Sequence, residues 1–177
     1  MDDRSVSGER QRVGGVLDED ELLVGVLNEG ENKLDQFLRV DAELEPGPER
    51  QGRLVVEVTN EVPPGEPAYV AGTDPEGVGG YGVYPGYLAA SLPAGTQATV
   101  AEGPRITLGG PDGDSQSVAA NVRIAPGETV RWVLDLVVPD GLDSVLIAPS
   151  ARLPGVRWTV DNEQWDDVGT PSRRVEW

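Results

Sequence analysis

The chain has no cysteine and no histidine among its 177 residues. Without cysteine it forms no disulfide and has no thiolate nucleophile, and without either residue it lacks the usual ligands of zinc. Catalysis by a serine–histidine or cysteine–histidine pair is excluded for the same reason. The lack of cysteine does not place the protein in a compartment, because a chain of this length can bury a core without disulfides.

Lysine, aromatic residues and long apolar runs are also scarce. Lys33 is the single lysine, and aromatic residues make up 5% of the chain. No segment reaches the ~18 consecutive apolar residues of a membrane-spanning helix, so we expect that this chain does not span a membrane. Acidic residues outnumber basic ones by 31 to 14, and the resulting net charge of −17 argues against nucleic acid as a partner.

Turn-forming residues are abundant, with 23 glycines and 15 prolines. Between them, short segments alternate apolar and polar residues, which is the pattern of strands with one buried face. About ten such segments predict an all-β fold. We expect a two-sheet antiparallel β-sandwich with immunoglobulin-like topology, and a barrel is the alternative.

The same pattern predicts the limits of the domain. Residues 1–16 are polar and aperiodic, so we expect a disordered leader. Residues 17–162 should form the sandwich, with residues 68–71 as a short strand and residues 156–160 as its last strand. Residues 163–177 should form a C-terminal tail that is able to pack on the domain.

The clearest strand pair lies within residues 121–139. Its second arm places Trp132 on the same face as alternate leucines and valines. Pro126 and Gly127 occupy the positions that these residues prefer in a type II turn. We therefore expect a β-hairpin here, and a second hairpin within residues 22–44.

Two motifs match known binding loops only in part. Residues 77–82, GVGGYG, fit the dinucleotide fingerprint literally, but Pro85 and Pro93 break any helix that would follow, so we expect a loop and no nucleotide. Residues 112–116 resemble the start of a calcium loop, yet Arg123 replaces the bidentate glutamate at its end. A looser calcium site built from turn aspartates stays open beside the simpler Asp-Gly turn, and we expect no other cofactor.

Four aromatic residues are candidate ligand contacts. Tyr81, Tyr84 and Tyr87 lie three apart in a segment rich in glycine and proline, and Trp165 lies among acidic residues. Exposed aromatic rings on a sandwich can stack on sugar rings. The alternative is that the tyrosines cap the edge of the core and that Trp165 fastens the tail to the sandwich.

No catalytic residue can be assigned from the sequence. Pairs of carboxylates serve glycoside hydrolases, but 31 acidic residues make accidental pairs certain. No G-x-S-x-G motif occurs. We therefore expect a protein that is not an enzyme, with a carboxylate-based hydrolase as the least favoured alternative.

Several segments together resemble one protein family. Residues 32–35, NKLD, precede Phe37 and Leu38, and residues 58–63, VTNEVP, precede PAYV at residues 67–70. LPAGT at residues 92–96 and PGET at residues 126–129 follow in the same order. This series resembles the uncharacterised actinobacterial family "domain of unknown function 4012", over about residues 24–160.

The resemblance implies a location and a general role. The chain would correspond to the C-terminal extracytoplasmic part of a membrane-anchored protein of the cell envelope, acting through contacts with envelope proteins or glycans. A carbohydrate-binding module is the alternative. The family supplies no catalytic residues. Lys33 lies inside the family-like turn, where we expect an ion pair with Asp35 or Glu31, and a ligand contact is the alternative. The oligomeric state is left open.

The predicted core can be tested at Trp132. Replacing Trp132 by alanine should lower the free energy of unfolding by about 3–5 kcal/mol, because a large buried side chain leaves a cavity. Urea unfolding of the purified variant measures this loss. An unchanged melting temperature would show that Trp132 does not belong to the core.

Overall fold

The computed structural model describes residues 17–72 and 80–177. In these residues two six-stranded sheets pack face to face, so the predicted all-β sandwich is confirmed. The expected leader at residues 1–16 and the first half of the glycine-rich motif, residues 77–79, lie outside the described residues.

Twelve strands and three short helical segments make up the described part of the chain. Two 3-10 helices span Leu34–Phe37 and Pro48–Arg50, and one helical turn, α1, spans Ala68–Ala71. The strands are β1 (Glu21–Asn28), β2 (Leu38–Pro46), β3 (Gln51–Asn60), β4 (Tyr84–Pro93), β5 (Gln97–Glu102), β6 (Leu108–Asp112), β7 (Ser115–Ile124), β8 (Thr129–Val137), β9 (Ser144–Ile147), β10 (Val156–Val160), β11 (Glu163–Asp166) and β12 (Arg173–Glu176).

The strand order shows that both sheets are mixed. The first sheet has the order β12-β9-β1-β4-β7-β6, and the second has the order β11-β10-β2-β3-β8-β5. Each contains one parallel pair, β1 with β9 in the first and β2 with β10 in the second. The other pairs are antiparallel, as predicted. The parallel pairs join strands that are far apart in sequence, which no local pattern indicates. The immunoglobulin-like topology stays a prediction.

Neither predicted hairpin forms. Strand β7 lies in the first sheet and β8 in the second, so residues 121–139 cross from one sheet to the other. The type II turn itself is present, since Gly127 has a φ of 76° and the Glu128 amide donates to the Ala125 carbonyl at 2.9 Å. Residues 22–44 also cross between the sheets, from β1 to β2. Alternating apolar residues fit a hairpin within one sheet and also a crossing between the two sheets. In either case each strand buries one face against the core.

Three further predictions were wrong in detail. Ala68–Ala71 forms a helical turn rather than a strand. Residues 156–160 are not the last strand, because β11 pairs with β10 and β12 pairs with β9. The tail at residues 163–177 is therefore part of the sandwich and contributes one edge strand to each sheet.

The core lies between the two sheets and is mainly aliphatic. Trp132 and Trp158 are both fully buried in it, which agrees with the predicted inward position of Trp132. The other large, fully buried side chains are Tyr84, Leu22, Leu34, Leu38, Leu44, Leu54, Leu88, Leu92, Ile124 and Leu134. Each such side chain contributes roughly 1.5–3 kcal/mol of burial free energy.

One asparagine joins three loops at the edge of this core. Asn60 ends β3 and is fully buried. Its Nδ2 donates to the Gly82 carbonyl at 2.7 Å and to the Ile124 carbonyl at 2.9 Å. Its Oδ1 accepts a hydrogen bond from the Val62 amide at 3.2 Å. Every polar atom of the side chain has a partner, which is what burial of an amide requires.

The backbone of Asn60 holds the crossing turn between β7 and β8. Its amide donates to the Glu128 carbonyl at 3.0 Å, and its carbonyl accepts from the Gly127 amide at 2.7 Å. Gly82 must be glycine here, because its φ is +74° and an added Cβ would lie 2.9 Å from Pro126 Cγ. Asn60 therefore fixes where the chain passes from one sheet to the other.

The role of Asn60 can be tested by replacing it with alanine. Two buried carbonyls and one amide would lose their partner, so we expect the free energy of unfolding to fall by about 2–4 kcal/mol. Asn121→Ala is a matched control, because Asn121 is exposed and its side chain donates to Glu29 on the surface. The control should change stability by less than about 0.5 kcal/mol. Equal losses in the two variants, measured by urea unfolding, would contradict the assignment.

Candidate functional site

The long connections gather at one end of the sandwich, which we call the loop end. It consists of residues 29–37, 61–72, 80–83, 125–128 and 148–155. The strand register places these connections together, since β1, β3 and β7 end where β2, β4 and β8 begin. Loops carried by a rigid scaffold are the usual place for binding residues.

A network of polar side chains fixes the base of the loop end. The Asp35 carboxylate accepts hydrogen bonds from Asn28 Nδ2 at 2.8 Å and from the Tyr84 hydroxyl at 3.1 Å. Asn28 Nδ2 also donates to Asn32 Oδ1 at 2.9 Å. Arg152 Nη2 donates to the backbone carbonyl of Asp35 at 3.0 Å. The connection between β1 and β2 is thereby joined to β4 and to the loop after β9.

Burial changes the ionisation of two groups in this network. Tyr84 is fully buried, and its burial, with the negative charge of Asp35, raises the pKa of its hydroxyl far above the ordinary value. Burial also lowers the pKa of the Arg152 guanidinium, although Tyr84, Asp35 and Asp167 act against this. Tyr84 is therefore a neutral hydrogen-bond donor inside the domain and offers no surface to a ligand.

The predicted row of three exposed tyrosines does not form. Tyr84 points into the core, and the sequence contained the reason, because it shares its period-two face with Leu88, Ala90 and Leu92. Tyr87 lies on the opposite face of β4, half-buried, and its cross-strand neighbours are Leu27 and Asn121. The three side chains consequently reach different environments.

Tyr69 is an exposed aromatic residue at the loop end that sequence reasoning did not select. It lies in α1, its side chain is 69% exposed, and Lys33 Nζ is 5.9 Å from the centroid of its ring. The Lys33 amide donates to the Val70 carbonyl at 2.9 Å, which holds the two segments together. The expected ion pair of Lys33 with Asp35 or Glu31 is wrong for the described residues. The Asp35 carboxylate accepts hydrogen bonds from Asn28 and Tyr84, and Lys33 Nζ lies over the Tyr69 ring. The sequence feature that could have drawn attention to Tyr69 is its place in PAYV, the family-like segment at residues 67–70.

Tyr81 belongs to the same group of loops. It is 49% exposed, and its hydroxyl donates to the Glu66 carbonyl. The neighbouring Gly82 amide donates to the Ala71 carbonyl at 3.0 Å, so the chain around Tyr81 is bonded to the end of α1. We call Lys33, Tyr69 and Tyr81 together the tyrosine surface.

Trp165 has a structural position. It lies opposite Trp158 in the pair of β10 and β11, with the two rings stacked at a centroid distance of 6.4 Å. The Arg173 guanidinium covers it at 4.5 Å from the ring centroid. These contacts match the alternative in which Trp165 fastens the tail to the sandwich.

The opposite end of the sandwich carries an acidic groove of about 790 Å³. Two of the aspartates that line it pair with Arg50, whose Nε lies 3.2 Å from Asp140 and whose Nη2 lies 3.6 Å from Asp143. The motif at residues 112–116 forms the Asp-Gly turn between β6 and β7. Within residues 17–72 and 80–177, no three acidic side chains are placed to hold a metal ion. The calcium site stays a prediction.

The fold and the loop end define a class, an all-β sandwich with an exposed aromatic surface on ordered loops. No protein-family model, curated protein or solved structure matches the chain. The resemblance to the actinobacterial envelope family therefore stays a prediction from the sequence.

The buried hydroxyl of Tyr84 can be tested by pH. The folded state keeps the Tyr84 proton above pH ~10, where an unfolded tyrosine releases it, so stability should fall as pH rises beyond this value. Tyr84→Phe should cost about 0.5–1.5 kcal/mol at pH 7 through the lost hydrogen bond to Asp35. The stability difference between the two proteins should shrink above pH ~10. Denaturant unfolding across the pH range measures this, and a constant difference would contradict a buried, neutral Tyr84.

Proposed function

We propose that this chain is a non-enzymatic, extracytoplasmic domain of the cell envelope that binds envelope proteins or glycans through the tyrosine surface. The observation that carries the proposal is the pair of exposed rings, Tyr69 and Tyr81, held on loops whose backbone is fixed by hydrogen bonds.

Ordered aromatic side chains suit a binding role. A tyrosine offers a large contact area and loses little conformational freedom on binding, because it has two side-chain torsions. The ring of Tyr81 is already tied by its hydroxyl to the Glu66 carbonyl, and Lys33 lies against the ring of Tyr69. A partner would therefore meet a preformed surface, which reduces the entropic cost of association.

A dedicated carbohydrate-binding module is the second candidate, and the same two rings favour it. The apolar faces of sugar rings stack on tyrosine, and the hydroxyls of a sugar need hydrogen-bond acceptors around the stack. Carboxylates are the commonest charged groups of this chain, with 31 acidic residues. The net charge of −17 on the whole chain favours a neutral glycan over an anionic one.

The envelope location is part of the proposal and rests on the family-like segments. In the part of the chain that the structure describes, no helix has the length and apolar character needed to cross a membrane. An extracytoplasmic domain attached to a membrane elsewhere in a longer protein would be consistent with this finding.

The tyrosine surface can be tested by alanine substitution. The probes are an array of bacterial cell-wall glycans, including soluble peptidoglycan fragments, and purified envelope proteins, followed by calorimetry with each binder. Tyr69→Ala and Tyr81→Ala should each weaken binding about tenfold or more, since aromatic residues at the centre of an interface typically contribute over 1 kcal/mol.

Val137→Ala is the control, because Val137 is an exposed residue on the second sheet, at the end opposite the loop end. It should leave this binding unchanged. Binding that Val137→Ala weakens and Tyr69→Ala spares would move the site away from the loop end. The lack of any glycan or protein binder in both screens would contradict the proposed function.

A further inference from the structure

Three central rows of the outer face of the first sheet consist of uncharged residues. Beyond the third row lie Arg123 and the Glu29 carboxylate, which accepts a hydrogen bond from Asn121 Nδ2 at 2.9 Å. Strands β1, β4, β7 and β6 lie side by side, and the cross-strand register aligns their outward residues in rows. We call these residues the neutral face: Leu23, Ser91, Ser117 and Gly110 in one row, Gly25, Ala89, Ala119 and Leu108 in the next, and Leu27, Tyr87 and Asn121 in the third.

The outer face of the second sheet is entirely different. It is covered by ion pairs between neighbouring strands, such as Arg53 with Asp135 at 3.0 Å and Arg131 with Glu57 at 3.1 Å. A quarter of the chain is charged, so a neutral area of this kind is unusual for this molecule. Leu27 and Leu108 are also 58% and 56% exposed on the neutral face, which leaves apolar area open to solvent.

We propose that the neutral face binds a second copy of this chain. Two copies with a net charge of −17 each repel one another, and the repulsion is smallest where neither surface carries charge. A contact through this face leaves the acidic surfaces of both copies pointing into solvent. It also covers Leu108, which is 56% exposed, and this burial of apolar area stabilises the pair.

The neutral face is complementary to itself under a two-fold rotation. We place the two-fold axis parallel to the strands, midway between β4 and β7. Rotation about this axis lays β1 of one copy over β6 of the other, and β4 over β7. Large residues then face glycines. In the first two rows the facing residues are Leu108 with Gly25, Leu23 with Gly110, Ala89 with Ala119, and Ser91 with Ser117. In the third row Tyr87 faces Asn121, and Leu27 has no facing strand residue because β6 begins at Leu108. This is the pattern of an isologous interface, in which each contact occurs twice.

The size of the face sets the strength of the contact. Three rows on four strands form an area roughly 20 Å on a side, given strand spacings of ~4.8 Å. Permanent interfaces bury about 800 Å² or more per partner. We therefore expect a weak dimer whose population rises with protein concentration. It should also strengthen with salt, because ions screen the repulsion between the two acidic molecules.

Sedimentation velocity of the full chain tests this proposal. We expect dimer to appear as concentration increases, and more of it at about 0.5 M than at about 0.05 M NaCl. Leu108→Lys should weaken self-association at least ~10-fold, because it buries a charge in the contact. Val137→Lys is the matched control, since Val137 is a 46% exposed residue on the second sheet and the change in net charge is the same. The control should dimerise as the original chain does.

The natural absence of cysteine allows the geometry to be tested directly. A mixture of Leu108→Cys and Gly25→Cys chains should form a cross-linked mixed dimer with a short bifunctional thiol reagent, because these positions face each other across the axis at a sheet spacing of about 10 Å, which is too long for a direct disulfide. Gly25 tolerates the change, since an added Cβ would meet Leu23 Cδ2 at an ordinary 3.9 Å. A mixture of Val137→Cys and Gly25→Cys should form far less.

Three outcomes would overturn the proposal. The first is a monomer at every concentration and salt level, as expected if another molecule covers the face. The second is equal loss of dimer in Leu108→Lys and Val137→Lys. The third is an equal yield of cross-linked dimer in the two mixtures. Circular dichroism of each variant confirms that it has folded before association is measured.

Discussion

The buried amide of Asn60 is the interaction on which the arrangement of the two sheets depends. The core is mainly leucine and valine, and such packing is not directional, so it permits the sheets to shift against each other. Hydrogen bonds from Asn60 to Gly82 and Ile124 are directional and fully satisfied. They determine where the chain crosses between the sheets and hence which loops meet at one end.

The loop end is built outward from that point. Asp35 joins Asn28, Tyr84 and Arg152 beneath the surface, and these contacts position the segments that carry Lys33 and Tyr69. The buried network contributes order, and the exposed rings contribute contact area. The proposed binding role follows from the combination, because an exposed ring on an ordered loop binds with less entropic cost than one on a flexible loop.

The two outer faces of the sandwich divide the remaining surface. One is covered by ion pairs, each worth little in solvent, and these keep the face hydrated. The other face is neutral and carries mainly small side chains. A second sheet can therefore pack on it at a sheet-to-sheet distance of about 10 Å. A dimer formed through the neutral face would leave the loop end of each copy free, so that one assembly presents two tyrosine surfaces and gains affinity for a repetitive partner.

The sequence by itself determined most strands before residue 161, the type II turn at Gly127 and the inward position of Trp132, because these depend on local periodicity and on backbone torsions. It did not determine the helical turn at Ala68–Ala71 or the two strands of the tail. Only the tertiary structure decided which sheet each strand joins. An alternating pattern indicates that a strand buries one face. It does not indicate whether the next strand in sequence pairs with it in the same sheet or lies across the core in the other sheet. The exposure of Tyr69, the burial of Tyr84 against Asp35 and the two parallel pairs all follow from strand pairing, which links residues far apart in the chain.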